Sequence, residues 1–369
     1  MSIDLNIKAA RLISDFRAVS ALVEFIEHEL EKRVIARLGL IKIEALASIA
    51  ATYKNQIRNN LGPGRRQTVT RIEALLAQMR CDLETGIRAM RNVMGGHLLQ
   101  LNTNEVQDHW LFMGHSTFTI LSQDLDNIDA EFRALDPAYP GATTPPALDP
   151  ELLTFWRSPE HLGPPDGVRV VNMQTGLWTP DVVAPVVRGQ GFQGASVRVF
   201  GLRLSIRQEG LILLPFWLRG GAISTYERLL IELSVVDFFS LEEAIFDGNQ
   251  RGATPSLVDE WASIAPPHQA ARYLVQLRGR LSASRADWRD NVRDKICAHM
   301  DLEIPAADLE VERWPMAIPD FNAEMNRLCG LLAEAARLDS RTLAFIGPAL
   351  PVGRLGTPQG QDILRWANT

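Results

Sequence analysis

The sequence predicts a mainly α-helical protein: two similar helical bundles related by duplication, joined by a connector rich in proline and glycine with candidate short β-strands. Three observations lead there. Apolar residues recur at three- and four-residue intervals through both ends of the chain, the period of an amphipathic helix rather than of a strand. Arginine, a short polar residue, four more residues and a histidine occur in that order twice, as Arg91-Asn92-Val93-Met94-Gly95-Gly96-His97 and Arg293-Asp294-Lys295-Ile296-Cys297-Ala298-His299. Each copy ends a helical run, precedes a tryptophan (Trp110, Trp314), and leads to a helix that closes on Leu-Asp (Leu135-Asp136, Leu338-Asp339).

Taken in order, residues 5 to 36 place Leu5, Leu12, Ile13, Phe16, Val19, Val23, Ile26 and Leu30 on one helical face. A second run, about 38 to 60, stops at the breaker Asn59-Asn60-Leu61-Gly62-Pro63-Gly64. Thr68 or Thr70 is a candidate cap for a third helix that carries Ile72 to Met94 and delivers the first motif. Gly95 and Gly96 are placed to end or bend it before His97. A pattern from 116 to 135 closes an N-terminal helical domain, residues 1–136. Residues 137–221 form the connector and a small insertion: seven prolines lie between 140 and 165, and strand-like composition at 168–171 and 182–187 competes with a helix around 196–206.

The helical period returns at Ile223, with Leu229, Leu230, Leu233, Val236, Phe239 and Ile245 on one face. Asp247-Gly248-Asn249 ends that run and Thr254-Pro255-Ser256 restarts the chain. A long motif helix then carries Leu274, Leu277, Leu281, Trp288, Val292 and Ile296, and a helix over 318–338 closes the C-terminal domain, residues 222–345. The tail, 346–369, reads as irregular.

At 369 residues the chain suffices for two domains, each burying its own core. Its 46% apolar and 22% charged residues describe a globular protein. The longest apolar run, Leu211 to Leu218, is too short to span a bilayer, so no membrane association is expected. The N-terminus lacks the pattern of a secretory signal, and the three cysteines cannot all pair; both point to reduced thiols and a cytoplasmic location. None has the spacing of a zinc ligand. A net charge of −6 opposes indiscriminate nucleic-acid coating. The cations are nonetheless nearly all arginine, and they cluster: Arg88 and Arg91 lead into the first motif, and Arg285, Arg289 and Arg293 into the second. Such runs suit several phosphates, or are solvated helix faces.

An imidazole and a guanidinium aimed at one point suit phosphodiester chemistry. The imidazole titrates near neutrality and moves a proton, while the guanidinium grips phosphate oxygens and stabilises charge growing in the transition state. On a regular α-helix residues six apart lie about 120° from one another, so Arg293 and His299 flank a common sector. His28, His109, His115, His161 and His268 lack a partner pattern and read as structural or exposed.

Arginine, then Asn or Asp, then histidine at the end of a helix in an all-α domain resembles the HEPN superfamily, over about 1–136 and 222–345. The resemblance implies a metal-independent endoribonuclease without cofactor, of toxin or phage-defence type. It also implies one site composed from two domains: Arg91, His97, Arg293 and His299 as catalytic residues, with Asn92 and Asp294 orienting them. Arg88, Arg285 and Arg289 become candidate RNA contacts. The implied partners are RNA, an antitoxin or regulatory protein, and a second copy of the chain. Gly95-Gly96 departs from the usual filling, and the tyrosine two residues beyond the histidine in some HEPN toxins is replaced by Leu99 and Asp301. A non-catalytic HEPN pair that binds RNA or protein, and a helical interaction module with coincidental motifs, are the alternatives.

Overall fold

The computed structural model describes residues 3–26, 29–57, 63–81, 115–152, 194–219, 223–248, 255–264, 266–298, 300–301 and 303–339. These are mainly helical, and no strand occurs among them. In chain order the helices are α1 Ile3–Phe25, α2 Glu29–Ile57, α3 Pro63–Cys81, α4 His115–Leu135, α5 Gly194–Arg219, α6 Thr225–Phe246, α7 Leu257–Ser263 and α8 Gln269–Leu277. A single turn, Arg285–Trp288, runs into a π-helix, Arg289–Ala298, and α9 Ile318–Ala336 follows two short 3-10 turns.

The helix expected over 5–36 is two, ending at Phe25 and restarting at Glu29. No glycine or proline marks that break, and Gly39 lies inside α2. Nor do Thr68 and Thr70 cap α3. Pro63 opens the helix, its fixed φ and missing N–H suiting the first turn. Both threonine hydroxyls bond back to carbonyls four residues earlier, at Gly64 and Arg66. The candidate strands at 168–171 and 182–187, and the tail beyond 339, lie outside the described residues. Residues 194–219, read as part of the connector, form α5, which packs on α6 and α2.

The core does not divide between the halves. Buried apolar side chains from α1, α2, α4, α5, α6 and α9 form one continuous cluster. Its axis is α6, which a capping box on Ser224 and Glu227 starts and which is buried on every side, from Tyr226 to Ile245. A helix buried on every side keeps its charges away from water, so those on α6 must be paired.

They are. Arg228 is bonded to both oxygens of Asp15 on α1 and, at 2.6 Å, to Glu232. Lys42 of α2 bridges Glu232 and Asp15. One turn further, Arg37 grips Asp237 with two bonds of 2.9 and 2.6 Å and also reaches Ser205 of α5. Burial alone would raise the Asp15 carboxyl, but Arg228, Lys42 and Arg11 outweigh it and hold it at about 2. Such pairs fix which helix meets which turn of α6 more than they add stability.

Glu209 of α5, wholly buried beside Asp237, behaves oppositely. Burial first, and the Asp237 charge next, push its carboxyl well above the ordinary range. The folded chain therefore holds a proton that the unfolded chain has released above a pH of about 4.3, and stability falls as pH rises through that window. Glu209→Gln imitates the protonated form without the titration. It should raise the stability at pH 7.5, with the gain shrinking toward pH 4. Urea melts at the two pH values check this; lower stability at both would contradict it.

Candidate functional site

The long helix expected to carry the second motif is interrupted. α8 ends at Leu277, a 3-10 turn spans Arg278–Arg280, and Leu281 is extended. Glu324 of α9 receives the Ser282 N–H at 3.0 Å, and the Arg285 guanidinium bonds the Ser282 carbonyl at 2.6 Å. The glycine and serines of this stretch favour such side chain and backbone contacts over helix. The motif itself then winds as a π-helix, whose i to i+5 pattern is rare and recurs at functional sites. The α-helical winding assumed for the 120° offset is not the winding of Arg289–Ala298.

Trp288, Val292, Ile296 and Cys297 are buried in the core, and the π-helix packs on α6. Arg293 is buried too, at 7% exposure, and donates to the half-exposed Asp294 carboxylate at 2.5 Å. Sequence reasoning missed a neighbour, Arg198 on α5, because α5 had been assigned to the connector. Burial pushes Arg198 below its usual range, Glu243 at 3.8 Å opposes that, and the charge of Arg293 adds to it. Two guanidiniums and two carboxylates thus share this corner. The Cys297 thiol is raised well above its ordinary value, by burial first and the Glu232 charge second, so it stays protonated and inert.

Beyond the π-helix the backbone turns through Met300, at φ 48°, a left-handed conformation uncommon for a side chain of this size. The Asp301 N–H reaches back to the Lys295 carbonyl at 2.5 Å, and Lys8 of α1 donates to the Asp301 carbonyl at 2.8 Å. Arg11 holds the Leu309 carbonyl and Glu310. This pinned segment and the π-helix enclose an open cleft of about 400 Å³. Lys295, Arg313, Asn291, Asp301, Glu303 and Asp308 supply its polar lining, and Ile296, Ile304, Pro305 and Pro315 its apolar walls.

Of the residues expected at the site, the structure describes Arg293, Asp294, Arg285 and Arg289 and brings the first two into direct contact. Arg285 and Arg289 both approach the buried carboxylate of Glu242, at 2.8 and 3.5 Å, and Arg289 also lies over the Phe239 ring. They tie the motif to α6. Arg88, Arg91, Asn92, His97 and His299 lie outside the described residues. Of the remaining histidines, His268 is buried, stacked on Trp261 and 3.5 Å from Asp339, a structural setting. No helix of the described residues is long and apolar enough to cross a membrane. Comparison of the chain with known family models, with characterised proteins and with solved structures found no match.

Proposed function

We propose that the chain is a tandem-HEPN endoribonuclease that cuts RNA without a metal. The observation that carries the reading is the bond between Arg293 and Asp294 on a π-wound motif segment bordering an open cleft. That bond supports the orienting role that the HEPN resemblance implies for the polar residue. In the reaction a ribose 2′-oxygen attacks its own phosphorus, and one histidine of the His97 and His299 pair accepts the hydroxyl proton. The bond from phosphorus to the 5′-oxygen breaks, and the other histidine protonates that oxygen. Arg91 and Arg293 stabilise the phosphorane charge. The products carry a 2′,3′-cyclic phosphate and a 5′-hydroxyl.

On this reading the protein is a toxin or phage-defence effector of the cytoplasm, restrained by an antitoxin or regulatory protein and able to self-associate. A second reading, a non-catalytic HEPN pair that binds RNA or protein, draws on the burial of Arg293 and on Gly95-Gly96. Incubating total RNA with the protein in excess EDTA separates them. The nuclease yields fragments with cyclic phosphate ends; RNA that is bound but left intact contradicts it.

A further inference from the structure

The cleft beside the motif has a composition that narrows its ligand. A free anion is disfavoured, because three carboxylates face two cations across it. No group of three or more His, Cys, Asp or Glu residues placed to hold a metal ion occurs among the described residues. What fits is one molecule bearing an anion, a ring with apolar faces, and N–H donors. The volume of about 400 Å³ lies in the range of small-molecule sites.

The lining residues are not equivalent. Asp301 already accepts the Glu303 N–H at 2.9 Å, and Asp308 faces Arg313 at 3.7 Å. The exposed Glu303 carboxylate has no bonding partner among the described residues. Lys295 uses one of its donors on Asn291, at 3.0 Å, and keeps others, and Arg313 is largely exposed. Cations therefore stand ready for a phosphate and Glu303 for a donor edge, with proline and isoleucine walls for the ring faces.

We infer that this cleft binds a guanine nucleotide of the RNA strand, with Lys295 and Arg313 on its phosphate and Glu303 on its Watson–Crick edge. The inference rests on the nuclease reading and gives that enzyme a base preference beside the cut. Guanine is selected because its N1–H and N2–H donors lie side by side and match the two oxygens of a carboxylate. Adenine and cytosine set an acceptor next to their amine, and uracil flanks its N–H with carbonyls that Glu303 repels.

Calorimetric titration of the full chain with the four nucleoside 3′-monophosphates, and with inorganic phosphate, tests this. Guanosine 3′-monophosphate should bind about tenfold more tightly than the others, the effect of roughly one charge-assisted hydrogen bond that only guanine completes, and phosphate alone should not register. Glu303→Gln should erase the preference, while Arg313→Gln should weaken all four nucleotides alike, each variant keeping the wild-type circular dichroism. Equal affinity for the four, no binding at all, or a preference that survives Glu303→Gln overturns the inference. RNA cleavage without guanine preference removes this subsite and leaves the nuclease standing. Guanine preference without cleavage supports the subsite and removes the nuclease.

Discussion

Asp237→Ala should cost about 3–5 kcal/mol of folding stability, the usual penalty for leaving a buried charge without its partner. Arg37 lies at the meeting of α2, α5 and α6 with side-chain exposure of 2%, and Asp237 supplies both of its strong bonds. Without them the guanidinium stays in the core beside Ser205 and the protonated Glu209 carboxyl, neither of which carries the charge that Asp237 supplied. Against a typical stability of 5–15 kcal/mol the loss approaches unfolding. Removing both charges is a different matter: Arg37→Met with Asp237→Leu should recover most of the loss, because two desolvated charges are exchanged for packing. Denaturant melts of the single and double variants decide this. A single variant within about 1 kcal/mol of wild type would mean that the pair is not sealed from water.

His299→Ala should slow RNA cleavage by about 100- to 10,000-fold, the range for removing a general acid or base. Binding of RNA should change little, since an imidazole contributes far less to holding a polyanion than the cations around it. The signature is therefore a fall in kcat with KM nearly constant. Melting should be unaffected, which separates this loss from the one at Asp237. A fall in stability of several kcal/mol would instead mark His299 as a packing residue.

How much of this was legible in the sequence varied with the physics of each element. α4 and α9 were found almost to the residue, because one apolar face alternates with a solvated one and the ends are marked. α6 was found as a helix, but its burial was underread: Leu229, Leu230, Ile231 and Leu233 through Leu241 leave no polar side wide enough for water. That near-continuous run was the available signal that Arg228, Glu232 and Asp237 must find partners inside. Their partners, Asp15, Lys42 and Arg37, sit in patterns that look like ordinary solvated faces, and only the packing of α1 and α2 on α6 reveals them. α5 was obscured by glycines, by the strand-like composition before it and by Pro215 within it.

The motif shows the same division. Arg293 and Asp294 were singled out by type and spacing, and the structure joins them by a direct bond. The π-winding was not legible, since an inserted residue per turn leaves no periodic trace over ten positions. The cleft was invisible for a related reason. Lys295 and Ile296 on the π-helix meet Glu303, Asp308 and Arg313 only because Met300 turns left-handed and Lys8 fastens the returning chain to α1.

The central claim is that both motifs serve a single scissile phosphate. Rates of RNA cleavage in EDTA for His97→Ala, His299→Ala and the double variant test it. Groups that act on one reaction as a unit are strongly non-additive, so each single variant should lose nearly as much as the double. A single variant that cuts at the wild-type rate, or losses that multiply as for two independent sites, would contradict the claim.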